Sequence, residues 1–244
     1  MFKVLIGVCF VFSVVYGLHL PSYIKPCRLD SPDFTECAIK HGNDAIATLL
    51  KGDRAYGIPS FTPFIIPLVT ISANGLDMNL TQATFSGIEN LKLTKYILDL
   101  KNKKVNITMT NPFLNFEFDY KTRGKVAALP IEGDGHGWTK FYNGNYSYDY
   151  DFDVMERKGK HYMHIVKNKI KIEPERLEAN IDNLFNGNKQ LGDHLNNFFN
   201  ENWRELLVQF GPVLSEVYGS VGKQILAKIY DRIPLEEIYP GIVL

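Results

Sequence analysis

The stretch LGDHLNNFFNENWRELLVQFGPVLSEVYGSVGKQILAKIY, running from Leu191 to Tyr230, decides how this chain folds. Its apolar residues recur in steps of three and four: Leu191, Leu195, Phe198, Phe199, Trp203, Leu206, Leu207 and Phe210, then Val213, Leu214, Val217, Val221, Ile225 and Ile229. That spacing lays them along one broad helix face. About 40 residues at ~1.5 Å each make a rod on the order of 60 Å long. Gly211-Pro212 predicts a kink within it, because proline lacks a backbone donor and clashes one turn back. Pro234 and Pro240 end it. A rod with so wide an apolar face needs an equally long apolar partner.

The residues upstream supply one. From Leu76 the hydrophobic period changes to two: Leu76, Met78 and Leu80; Val105, Ile107 and Met109; Leu114, Phe116, Phe118 and Tyr120; Tyr146, Tyr148, Tyr150 and Phe152, each set alternating with polar residues. Tyr162, His164 and Val166 continue the pattern on the same dry face, then Ile170 and Ile172, with a bulge expected near Asn168. Turn signals stand at Asn102-Lys103-Lys104, Gly133-Asp134-Gly135, Asn143-Gly144-Asn145 and Arg157-Lys158-Gly159. The pattern predicts a meander of long antiparallel strands with one wet and one dry face. The dry face is aromatic-rich, so the sheet should curl around the rod. Before the strands, Ser31-Pro32-Asp33 opens a helix that runs to about Lys51, where Gly52 ends it. Tyr56 to Pro67, with prolines at 59, 63 and 67, reads as an extended strap.

The first 17 residues have the form of a secretory signal: Lys3, an apolar run from Val4 to Tyr16, and small residues Val15 and Gly17 before a cleavage point. The run is too short for a membrane span, and nothing later reaches that length. The expectation is a secreted, extracellular protein with one domain over residues 18–244, since no linker or repeat divides it. Cys9 leaves with the signal, so Cys27 and Cys37 remain, and in an oxidising compartment one bridge is the default. Three glycosylation sequons fit that address, at Asn79, Asn106 and Asn145. All three asparagines fall on the wet face of the alternation. Without Lys3 the chain carries 26 Lys and Arg against 27 Asp and Glu. That balance argues against a nucleic-acid partner and against strong attraction to anionic membranes, and stable membrane insertion is not expected.

Signals for catalysis are poor, and no enzyme is expected. Tyr218-Gly219-Ser220-Val221-Gly222 lacks the first glycine of a nucleophile elbow and sits inside the rod. His161 and His164 point to opposite faces of a strand, so a shared metal is not expected. Asp149, Asp151 and Asp153 read as a solvated strand face rather than a calcium site. No cofactor motif occurs. His164 is the polar residue to flag on the dry face: it either bonds an oxygen of an apolar ligand or is a satisfied core histidine. Tyr146, Tyr148 and Tyr150 either fill the core or line a cavity with their hydroxyls as polar handles.

The order of features resembles the takeout and juvenile hormone-binding proteins of insects, over nearly the whole mature chain. The resemblance rests on Cys27 and Cys37, Gly57-Ile58-Pro59 with Pro63 and Pro67, and Pro112 with Tyr120 and Gly124. It continues through Leu129-Pro130 with Gly133 and Gly135, Leu184-Phe185-Asn186-Gly187, Leu191-Gly192, Phe199-Asn200-Glu201-Asn202-Trp203 and Ile233-Pro234. It implies an α+β fold in which a strongly curved antiparallel sheet wraps a long C-terminal helix around an internal apolar tunnel. It also implies a Cys27–Cys37 disulfide and a secreted carrier of a small hydrophobic ligand, a terpenoid such as juvenile hormone or a fatty acid-like lipid. The residues expected to line the tunnel are Phe116, Phe118, Tyr148, Tyr150, His164, Phe198, Leu206, Phe210 and Val217. A secreted signalling or interaction protein, acting on an extracellular receptor through a glycosylated surface over a filled core, is the competing reading.

Overall fold

The computed structural model describes residues 18–73, 75–126 and 129–244; the side chains of Ala73, Val126, Leu129, Val213 and Val217 fall outside the description, as does the expected signal segment. Seven strands form one sheet in which every pairing is antiparallel: β1 (Phe64–Ala73), β2 (Leu76–Ser86), β3 (Lys92–Asp99), β4 (Lys104–Val126), β5 (Leu129–Arg157), β6 (Lys160–Glu173) and β7 (Arg176–Ile181). Four α-helices accompany it among the described residues: α1 (Phe34–Leu49), α2 (Lys189–Glu201), α3 (Trp203–Tyr230) and α4 (Leu235–Ile238).

The two longest strands organise the rest. The first half of β4 pairs with β3 and its second half with β2, while β5 pairs with β7 through its first half and with β6 through its second. One end of the sheet is therefore β3-β4-β5-β6 and the other β1-β2-β4-β5-β7. Each end has its own apolar core, one around Tyr150, Phe152 and Met163 and the other around Phe85, Phe116 and Phe141. The sheet curls far enough that α3 meets β6 along one edge and β1 at the other. The two contacts differ. On the β6 side the Ile170 N–H donates to Ser215 Oγ at 3.2 Å, and the neighbouring Tyr148 hydroxyl of β5 donates to the Gly219 carbonyl at 3.2 Å. Among the described residues no hydrogen bond joins α3 to β1.

Three expectations are corrected. The rod, expected as one length, breaks at Asn202; at Gly211-Pro212, where a kink is expected, α3 continues as helix with Pro212 inside it. Asn202 serves both helices: its Nδ2 and backbone N–H donate to the Phe198 carbonyl at 2.8 and 3.0 Å, and its own carbonyl accepts from Leu206 N–H. Pro212 is tolerated because it faces water, as does Val208 at 80% exposure, so solvent can reach the carbonyl that the proline leaves without a donor. Secondly, Gly133-Asp134-Gly135 and Asn143-Gly144-Asn145 lie inside β5, not in turns. These glycines admit close neighbours: a β-carbon on Gly133 would come within 2.8 Å of the Asn183 carbonyl oxygen, and one on Gly144 would strike the Tyr146 ring. Thirdly, the end of the strap, Phe64 to Pro67, is already strand β1. It lies at a sheet edge, where proline costs no ladder bond.

The free side of β7 is occupied by a helix. Asn196 of α2 accepts from Ile181 N–H at 2.9 Å and donates to its carbonyl at 3.0 Å; Asn200 does the same with Ala179 at 2.9 and 2.8 Å. Four helical residues rise about 6 Å and two strand residues about 6.6 Å, so an i,i+4 asparagine pair fits the i,i+2 backbone pair. At the other end Asn43 of α1 makes the same two-way bond to Leu93 of β3, at 2.8 and 2.9 Å. Cys27 and Cys37 form a disulfide that ties the N-terminal strap to α1. Beneath α1 four tyrosine hydroxyls close on one another: Tyr96 to Tyr239 at 2.5 Å, Tyr239 to Tyr230 at 2.9 Å and Tyr150 to Tyr230 at 3.1 Å.

Candidate ligand-binding site

Between sheet and α3 lie two apolar chambers, of about 330 and 210 Å3. The wider one sits under α1, walled by Ile46, Leu49 and Leu50 of that helix, by Ile107, Met109, Tyr146, Tyr148 and Ile170 of the sheet, and by Val221, Ile225 and Leu226 of α3. The narrower one lies toward the other end, walled by Met78, Leu80, Phe116, Phe118 and Ile131 and by Trp203, Leu206, Phe210 and Leu214 of α3. The three-and-four spacing of the rod thus provides one wall of both. Neither wall contains a charged side chain among the described residues.

One residue that walls the wider chamber carries a buried polar atom without a partner. The Tyr146 hydroxyl is buried and has no hydrogen-bond partner among the described residues, although the side chain is only 7% exposed. It is directed back over Gly144 two residues earlier on the same strand. Burial pushes its pKa up to about 12, so it stays a proton donor at any physiological pH. Its neighbour Tyr148 is already committed to the Gly219 carbonyl. Tyr218, which lines both chambers, has its pKa raised by burial and then by Tyr146.

Of the residues expected to line a tunnel, Phe116, Phe118, Leu206 and Phe210 wall the narrower chamber and Tyr148 the wider. Tyr150 lies in the tyrosine cluster and Phe198 packs beside the second core, so neither reaches a chamber wall. Val217 belongs to α3, but its side chain is outside the described residues. His164 is not on the dry face: its side chain is 44% exposed and its Nδ1 lies 3.1 Å from Asp231 Oδ1. The cause is the position of the bulge, where Phe152 pairs with Ile165 and Asp151 with Lys167, leaving Val166 out of register. Met163 and Ile165 therefore point inward before it and Ile170 and Ile172 after it, the opposite phase to that expected for Tyr162, His164 and Val166. The α1 residues and Tyr218 were not anticipated; their apolar spacing was readable, but it marks a packed face as readily as a cavity wall.

The remaining polar clusters are occupied with structure. Asp151 and Asp153 face Lys104 and Lys103 at 2.7 and 3.3 Å, and Asp149 accepts from Asn106. Cys27, Cys37 and His41 converge, but the two sulfurs are bonded to each other and offer no thiolate to a metal. Asn79 and Asn145 are exposed, whereas Asn106 is half-buried, with Nδ2 donated to Ser147 Oγ at 3.1 Å and Asp149 Oδ1 at 2.6 Å.

A curved antiparallel sheet closed by a long helix over an uncharged interior is the architecture of carriers for lipophilic molecules. The chain belongs to the haemolymph juvenile hormone binding protein (JHBP) family, whose sequence model matches residues 5–240. It is 21% identical over 231 residues to the circadian clock-controlled protein daywake of Drosophila melanogaster and 22% identical to that of Drosophila yakuba, in each case over 90% of this chain and 88% of the relative. In three dimensions it is similar to the crystal structure of Takeout 1 from Epiphyas postvittana, with a TM-score of 0.77, 22% identity, and coverage of 89% of this chain and all of that one.

Proposed function

We propose that this protein is a secreted carrier that encloses one small, neutral, lipophilic molecule in the apolar space between sheet and α3. The observation that carries the reading is the pair of open apolar chambers with no charged side chain among the described residues of their walls. A filled core, which a purely surface-acting signalling protein would have, leaves no such space. Micromolar binding needs about 8 kcal/mol net, so with an association cost of at least about 4 kcal/mol and no polar site the ligand has to bury on the order of 500 Å2 of apolar surface at ~25 cal/mol per Å2. The absence of a cationic partner among the described wall residues disfavours an ionised fatty acid, whose carboxylate would be desolvated unpaired. The unpartnered Tyr146 hydroxyl, once its ring turns from Gly144 toward the chamber, favours a ligand with one acceptor oxygen, such as an ester, ether or ketone, on an isoprenoid or alkyl skeleton. Asn79 and Asn145, exposed on the outer face, are the proposed glycan sites.

The test is native mass spectrometry, with solvent extraction, of the protein secreted by insect cells. A stoichiometric neutral lipid in the extract supports the reading. A clean protein mass that also takes up no added terpenoid or lipid ester refutes it.

A further inference from the structure

Tyr218 is the one described residue that lines the two chambers and also a void of about 20 Å3 beside Ile66 and Leu214. Only one other described residue, Phe141 of β5, lines both chambers. One ring comes from the helix and one from the sheet, so together they stand where the chambers adjoin. The Tyr218 ring is braced edge-on against Phe85, with centroids 5.6 Å apart and planes at 77°.

The backbone behind the ring is held as well. The Gly219 carbonyl accepts from Tyr148, and Ser215 Oγ, one turn earlier, accepts from Ile170 N–H. One turn later Gly222 lies against the Tyr148 ring, where even a β-carbon would come within 3.2 Å. The helix therefore cannot withdraw Tyr218 from the sheet without breaking these contacts. The void of about 20 Å3 cannot take the ring, so a ring that swings goes into one of the chambers.

We propose that Tyr218, with Phe141, is a length-determining septum: it confines a bound apolar chain to one chamber, and a longer chain has to displace the ring to enter the other. The proposal rests on the carrier reading and deepens it, because it assigns selection by chain length to one residue pair. Recognition here is by volume, since an uncharged wall distinguishes neutral hydrocarbon chains by little else.

The test uses a homologous series of saturated primary alcohols, titrated against the full-length secreted protein by calorimetry. Each methylene that finds apolar space should tighten Kd about four-fold. In the wild type this gain should stop at a definite chain length. In Tyr218→Ala the gain should continue to longer chains, whereas Tyr218→Phe, which keeps the ring, should stop where the wild type does. Phe141→Leu opens the septum from the sheet side and should also move the stop to longer chains, so the test survives if Tyr218→Ala fails to fold. A stop at the same length in every variant, or no stop in the wild type, overturns the septum while leaving the carrier intact. Failure of every alcohol to bind the wild type overturns both.

Discussion

Replacing Tyr146 by phenylalanine should make the ligand-free protein more stable and its ligand complex weaker. The hydroxyl is buried against Gly144 and has no partner among the described residues. An unsatisfied buried polar group costs about 1–3 kcal/mol. Removing the oxygen leaves a gap of roughly 15 Å3, which at about 24 cal/mol per Å3 costs back some 0.4 kcal/mol. The net expectation is a gain of about 1–2 kcal/mol, or a Tm roughly 2–6 °C higher for a chain of this size. Urea denaturation of delipidated wild type and variant measures the first effect. The second is measured with an isoprenoid methyl ester and the hydrocarbon of the same skeleton. The ester should bind about five-fold more weakly to the variant, the loss of a bond worth ~1 kcal/mol, while the hydrocarbon should bind equally to both. A variant destabilised by about 1 kcal/mol or more would show that the hydroxyl is already bonded in the empty protein. That result would sink the argument that it is reserved for a ligand.

Three further outcomes follow from other parts of the molecule. Asn196→Ala or Asn200→Ala removes two bonds to the β7 backbone and should cost about 1–3 kcal/mol, with faster amide exchange at Ile181 or Ala179 respectively; unchanged exchange would mean that α2 is docked by its apolar residues alone. Burial raises the pKa of Tyr96, Tyr150 and Tyr239 well above its ordinary value and that of Tyr146 to about 12. The folded protein then keeps protons that the unfolded chain loses, so stability is full below about pH 10 and falls above it by about 1.4 kcal/mol per unit for each such tyrosine. Tyrosinate absorbance rising in step with unfolding checks this, and titration of these groups in a still-folded protein contradicts it. For the sequons, peptide mapping should find glycan on Asn79 and Asn145 but not on Asn106, whose Nδ2 is donated inside the sheet; full occupancy of Asn106 would require that part of the sheet to repack.

Where one face of a strand is uniformly dry, the sequence reads directly. Tyr146, Tyr148, Tyr150 and Phe152 alternate in sequence and are all buried in the structure. The rod was legible for the same reason, since its spacing serves both chambers. The errors come from residues whose role depends on something distant. Gly133 and Gly144 look like turns locally, but they make room for Asn183 and for the Tyr146 ring. The inward phase of early β6 depends on a bulge at Val166 that no composition marks. Packing also separates the candidate site from the core: Tyr148 walls a chamber and Tyr150, two residues on and on the same face, does not. Period two places both on the dry side and cannot tell a wall from a plug.

The unequal fastening of α3 bears on time as well as place. An occupant between sheet and helix leaves most readily where the fold parts at least cost, and the seam toward β1, without a hydrogen bond among the described residues, is the cheaper one to open. Release would then be timed by a local opening equilibrium of the fold rather than by the occupant's own diffusion. Molecules of very different affinity would leave through the same opening, so residence could be lengthened by fastening that seam without altering a single chamber wall.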